Sequence, residues 1–255
     1  MLTPEERERY GRHILLKEIG GPGQHALKAA TVAIVGIGGL GAPAALYLAA
    51  AGVGRLRLID DDVVSLSNLQ RQVLYDTESI GALKVERAAA ALKALNPHVE
   101  VEAVAARLPA PSTEEAPLLA GADIVLDGTD GFATRFAVSA ACRALGRTLV
   151  SGAVGRWEGQ VVTFKPGGPC YRCLVPEAPP HAETCAQVGV VGALTGVIGS
   201  MMALEAIKEL AGAGDSLAGR LLLYDGLRGE SRTVTLARDP GCPVCGELTT
   251  RGAQA

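Results

Sequence analysis

The chain has 255 residues, 48% hydrophobic and 20% charged, and 27 acidic against 24 basic side chains leave a net charge of −3. That apolar fraction excludes disorder, collagen and coiled coil, and it suffices for the core of one large α/β domain. The slight acidic excess provides no basic field to hold nucleic acid or an anionic membrane, so any anion must be caught locally.

At the amino terminus, Thr3-Pro4-Glu5-Glu6 combines a capping threonine, proline at the first helical position and glutamate three residues after the cap. It predicts a helix to about Leu16 that carries Arg7, Arg9 and Arg12. The segment is acidic where a signal peptide would be basic and then apolar. Thr31 to Gly36 is a continuous apolar run of buried-strand type, followed by a glycine turn and an alanine-rich helix to about Ala51. Arg55 to Asp60 reads as a second strand, and residues 61–80 as a long polar connection. A helix from about Gly81 places Val85, Ala88, Leu92 and Leu95 on one face and stops at Asn96-Pro97.

Strands are expected at Val99–Val104, Asp123–Asp127 and from Thr148, with a proline-broken loop over 105–120 and a helix over Phe132–Leu145. Alternating strands and helices imply right-handed crossovers and a mostly parallel sheet with helices on both faces. After Val154 the pattern changes, and runs at 161–164, 221–224 and 233–236 read as antiparallel additions. Val188 to Leu204 is uncharged, but it is short for a membrane span and broken by glycines, so it reads as a buried loop and helix. No repeat or linker divides residues 1–255, which are expected to form a single domain. With no export or membrane segment the chain reads as cytoplasmic, where six cysteines point to metal or catalysis before disulfides.

Four signals carry chemistry. The first is Gly36-Ile37-Gly38-Gly39-Leu40-Gly41, between a strand and a helix, where glycines let backbone N–H groups approach a polyphosphate. Asp60 ends the next strand, about 20 residues on, where an acid binds ribose hydroxyls. Together they predict a Rossmann-like nucleotide site without separating ATP from NAD. The second signal is Cys170-Tyr171-Arg172-Cys173 with Cys242-Pro243-Val244-Cys245, four thiolates that would complete a structural zinc site and pin the carboxyl-terminal region to a distant loop.

The third is Asp62, Ser67, Asn68, Gln70 and Arg71 in the long connection, with Lys84 in the first turn of a helix. A cation there opposes the helix dipole, which predicts a bound anion beside it and a locally positive phosphate pocket. The fourth is Asp127-Gly128-Thr129-Asp130 at the end of the fourth strand, where Asp130 should face the ligand crevice as a Mg²⁺ ligand and Asp127 serve as a helix cap or inner support. Cys142 reads as a small buried residue and Cys185 as a loop thiol able to act as nucleophile.

Arg9-Tyr10-Gly11-Arg12, the glycine loop, Ser65-Leu66-Ser67-Asn68-Leu69-Gln70-Arg71-Gln72, Lys84-Val85-Glu86, Asn96-Pro97 and Thr129-Asp130 occur in this order. They are followed by Glu158-Gly159-Gln160, both cysteine pairs, Thr184-Cys185 and Gly196-Val197-Ile198-Gly199-Ser200. Over nearly the whole chain this set resembles the MoeB/ThiF family, enzymes that adenylate the carboxyl-terminal glycine of ubiquitin-like sulfur carriers. The resemblance implies a homodimer with ATP and Mg²⁺ contacted by Gly39, Asp60, Ser67, Asn68, Leu69, Gln70, Arg71, Lys84 and Asp130. It also implies that Arg12 enters the neighbouring subunit's site, that Cys185 matches a position forming a covalent link to the carrier in some members, and that the cysteine quartet holds Zn²⁺. Gly131 stands where the family usually has Asn, and no appended rhodanese-type domain is expected. An NAD-dependent oxidoreductase or a non-catalytic zinc scaffold for a ubiquitin-like partner would fit part of the same pattern, but the oxidoreductase leaves Arg71, Lys84 and Asp130 without a role.

Overall fold

Alternate residues of the run Thr31–Val35 enter two different cores, Val32 and Ile34 on one side of the sheet and Ala33 and Val35 on the other. A strand covered on both faces has no polar face to show, which is why its sequence is continuously apolar. The structure, a computed structural model, describes residues 1–108, 117–179 and 188–246. Its sheet contains β1 (Thr31–Val35), β2 (Arg55–Ile59), β3 (Glu100–Val104), β4 (Ile124–Asp127), β5 (Thr148–Gly155), β6 (Glu158–Phe164), β7 (Arg220–Asp225) and β8 (Glu230–Thr235). The strand order is β3-β2-β1-β4-β5-β6-β7-β8. Pairing is parallel from β3 to β5 and antiparallel from β5 to β8, as expected from the sequence.

The helices are α1 (Pro4–Arg9), α2 (Gly11–Ile14), α3 (Gly20–Ala29), α4 (Gly41–Ala50), α5 (Lys84–Leu95), α6 (Phe132–Ala144), α7 (Tyr171–Leu174) and α8 (Gly192–Ala211). One core lies under α3, α4, α5 and α8, and the other under α6 and α7. The expected capping box forms, with Thr3 Oγ1 accepting from the Glu6 N–H and Glu6 accepting from the Thr3 N–H. The first helix is shorter than the expected run to Leu16, because it ends at Tyr10 and a separate short turn follows. The sequence gives no hint of α3, whose opening Gly20-Gly21-Pro22-Gly23 has poor helix propensity. Packing against α8, with Leu27 fully buried, holds it in place. No helix among the described residues is long and apolar enough to cross a membrane. In α8, Glu205, Lys208 and Glu209 interrupt the apolar run.

Candidate active site

β1 pairs with β2 on one side and with β4 on the other, so the chain leaves it in opposite directions at that point of the sheet. Such a switch opens a crevice beyond the carboxyl ends of the strands. A cavity of about 450 Å³ lies there, lined by Gly36, Gly38 and Gly39 after β1, Asp60 to Asp62 after β2, and Thr129, Asp130 and Gly131 after β4. Arg71, Gln72, Lys84, Arg135 and Thr195 complete its polar wall. Gly36 has φ +81°, in the left-handed region that favours glycine. Gly41 lies outside the lining, and its role is packing: a Cβ there would stand 1.9 Å from the Gly36 carbonyl oxygen.

Asp60 sits on the rim of the glycine loop, accepting from the Ile37 N–H at 2.7 Å and the Asp62 N–H at 2.8 Å. Burial pushes its carboxyl above the usual range, against the pull of Lys84 and these two N–H groups. Lys84 is the first residue of α5 and only 5% exposed. The expected anion beside it is one of the protein's own carboxylates, Asp62, 2.9 Å from Nζ. Burial of an ammonium at a positive helix end requires such a partner. The expected net positive lining is therefore corrected: Asp60, Asp61, Asp62 and Asp130 face Arg71, Lys84, Arg107 and Arg135, four charges of each sign.

The pairing within this balanced set is uneven. Arg107 is spent on Asp61 at 3.0 Å, and Lys84 on Asp62. Arg71 donates only to the Ser67 carbonyl, at 2.9 Å. Arg135, which the sequence reading missed, is 5% exposed and donates to the carbonyls of Gly152 and Thr129 beside the Tyr171 hydroxyl. Among the described residues, Arg71 and Arg135 therefore line the cavity without a carboxylate partner. Arg135 is the fourth residue of α6, in its first turn, so the cation at a helix start that marked Lys84 was present here too and was passed over.

Asp130 is exposed in the cavity wall and is not a helix cap, since Gly131 is the cap residue of α6. Asp127 is fully buried and takes the inner role, accepting from the Thr129 N–H and hydroxyl and from Ser151 Oγ. Ser67, Asn68, Leu69 and Gln70 do not line the cavity. Asn68 instead organises the turn, its carbonyl accepting from the N–H groups of Arg71 and Gln72, while Leu69 packs on the larger core. Arg12 is exposed on α2 and does not line the cavity. Cys185 lies outside the described residues.

The four cysteine sulfurs of Cys170, Cys173, Cys242 and Cys245 lie within 4.8 Å of one another, with Sγ–Sγ distances of 3.6 Å for Cys170–Cys242 and 3.2 Å for Cys173–Cys245. Four sulfurs at 2.3 Å from a tetrahedral zinc would stand about 3.8 Å apart, so the donor set fits that ion. Burial raises the Cys170 and Cys245 thiols. At Cys242 burial is outweighed by the N–H groups of Cys245 and Val244, which bring the thiol down to about 7. Cys142 is buried in α6 as expected, and burial raises its thiol.

A model of the ThiF family matches residues 10–244. The chain is 48% identical over 257 residues to a sulfur carrier protein adenylyltransferase of Thermus thermophilus, covering 98% of this chain and 94% of that one. It is 48% identical over 248 residues to the molybdopterin-synthase adenylyltransferase of Escherichia coli, covering 96% and 99%. Among solved structures, E. coli MccB superposes with a TM-score of 0.80 at 22% identity over 92% of this chain and 70% of that one, a likeness of fold.

Proposed function

The chain belongs to the ThiF family, and from that premise we infer an ATP-dependent adenylyltransferase that activates the carboxyl-terminal glycine of a ubiquitin-like sulfur carrier protein, releasing pyrophosphate. The observation that carries this reading is the cavity itself, which gathers the glycine loop, Asp60, Arg71, Lys84, Asp130 and Arg135 at the strand ends of a parallel sheet. Two relatives of nearly full length, named as adenylyltransferases of a sulfur carrier protein and of molybdopterin synthase, support the same activity.

The chemical difficulty is charge. A carboxylate must attack the α-phosphate of a polyanion, and each unit repulsion at 4 Å is about 4 kcal/mol at an effective dielectric near 20. Arg71 and Arg135, held by carbonyls, offset that repulsion and the charge gathering on the departing pyrophosphate. Lys84 has three N–H donors, of which Asp62 takes one, so it can bind phosphate without leaving its partner. The nucleophile is already ionised at neutral pH, so no general base is required, and catalysis is positioning plus electrostatics. Asp60 is placed for the ribose hydroxyls. Asp130 offers the hard oxygen that Mg²⁺ takes, and the ion would supply positive charge to the phosphates. The cysteine quartet would hold Zn²⁺ as a cross-link, with all four positions filled by protein.

Because Arg12 is exposed and does not line its own cavity, we assign it to the cavity of a second copy, making the working unit a homodimer. Residues 1–255 act as one domain in this reading, Cys185 is the candidate for a covalent link to the carrier, and a reduced cysteine quartet accords with the cytoplasm. The test is mass spectrometry of candidate sulfur carriers after incubation with Mg-ATP. Carriers ending in Gly-Gly should gain the mass of AMP and truncated ones should not. Adenylation of neither, with thermal stabilisation by NAD in preference to Mg-ATP, would overturn the reading.

A further inference from the structure

Two motifs of the sequence take no part in lining the cavity, Arg9-Tyr10-Gly11-Arg12 and Asn96-Pro97, and the structure joins them. Asn96 is fully buried at the carboxyl end of α5. Its Nδ2 donates to the Tyr10 hydroxyl at 2.8 Å and to the Ala49 carbonyl at 2.7 Å, and its Oδ1 accepts from the His98 N–H at 3.2 Å. Tyr10 is 3% exposed and its ring lies on Gly52, where φ is +81° and a Cβ would stand 2.4 Å from Tyr10 Cζ. The main chain of Tyr10 links two helices. Its N–H donates to the Glu6 carbonyl to close α1, and its carbonyl accepts from the N–H groups of His13 and Ile14 to open α2.

At six and four residues these helices are too short to hold their shape in water, so docking sets where they lie. Arg12 is exposed on α2, two residues beyond the docked tyrosine. A phenylalanine would fill the space of the Tyr10 ring equally well. What the hydroxyl adds is one defined geometry, since a satisfied buried polar contact rigidifies what it joins. The place of this contact also says where Arg12 can act. α4 starts after the glycine loop and α5 starts at Lys84, and Tyr10 meets both helices at their far ends. Ten and twelve residues, at about 1.5 Å each, put the contact about 15–18 Å from its own cavity. An arginine held there is presented to another molecule.

We propose that Tyr10 is a positioning residue: held by Asn96, it fixes the start of α2 so that Arg12 enters the cavity of a second copy at a set place. This rests on the adenylyltransferase and homodimer reading. Tyr10→Phe, whose ring keeps its seat on Gly52, should lower carrier-dependent ATP–pyrophosphate exchange about tenfold. The deciding measurement uses heterodimers isolated through two different affinity tags, one subunit Tyr10→Phe and the other Arg71→Ala. One site then has its own Arg71 and a correctly held Arg12 from its neighbour, so exchange should reach about half the wild-type rate. A role confined to its own subunit, in folding or in its own cavity, damages both sites and leaves about a twentieth. Heterodimers of Arg12→Ala with Arg71→Ala are the control. If these recover half the rate and the Tyr10→Phe pair does not, or if Tyr10→Phe alone keeps full activity, the positioning role is overturned and the dimer reading stands. Failure of the control pair, or recovery of no doubly tagged species, overturns the assignment of Arg12 to a second copy and this proposal with it. Absence of exchange in the wild-type enzyme would refute the adenylation reading itself.

Discussion

The two ends of the sheet are built on different terms. In the parallel half, β1 and β4 are buried nearly throughout, with helices on both faces, so apolar packing anchors the paired strands. At the antiparallel end, β7 buries one residue and β8 none. The segment beyond β8 packs its cysteines against little more than Val244 and each other. The strand ends of the first half are therefore free to carry chemistry, because its stability comes from elsewhere. The second half lacks the apolar area to anchor its end, and a covalent or metal cross-link is the physical substitute.

If this division is right, damage to one end should be chemical and damage to the other structural. The largest effect is expected for Arg71→Ala, whose side chain holds only the Ser67 carbonyl. Carrier adenylation, read by pyrophosphate exchange, should fall about a thousandfold, equivalent to about 4 kcal/mol, while the Tm moves by no more than about 1 °C. Comparable loss of activity and stability together would erase the distinction. Next comes Cys245→Ser, or removal of metal by a chelator, which should lower the Tm by about 10 °C, or roughly 3–4 kcal/mol. Calorimetry showing no change would mean that the quartet anchors nothing.

The smallest effect sharpens the comparison within the parallel half. Glu6 is pinned to α3 by Lys28 at 2.7 Å. Burial alone would raise the Glu6 carboxyl, but the Lys28 ammonium and the Thr3 N–H carry it from its ordinary 4.5 down to about 2. The folded state then binds this proton later than the unfolded chain, so the contribution is complete above about pH 4.5 and lost as the pH falls toward 2. With Lys28 35% exposed and screened, about 1–2 kcal/mol is expected. Folding free energy measured across pH 5 to 2 should fall more steeply for the wild type than for Glu6→Gln. Parallel curves would show that the pair is idle.

Asp130 and the glycine loop were legible because sequence-local rules place them, a strand end before one and a strand–helix turn around the other. Lys84 was legible as a cation out of place at a helix start, while Asp62 as its partner within the protein was not foreseen. Asn68 and Leu69 share a motif with Arg71, but a 3-10 turn directs one to backbone support and the other to the core. Proximity in sequence could not distinguish these outcomes, because a turn sends successive side chains in different directions.

Order along the chain was enough to determine the strand–helix alternation, the change from parallel to antiparallel pairing and the pairing of two cysteine motifs, since periodicity and spacing are properties of neighbours. Tertiary structure alone decided that α3 exists and that the Arg135 guanidinium is buried against the Gly152 carbonyl of β5. Those outcomes depend on burial and on contacts between residues far apart in the chain, and such contacts exist only once the sheet has formed.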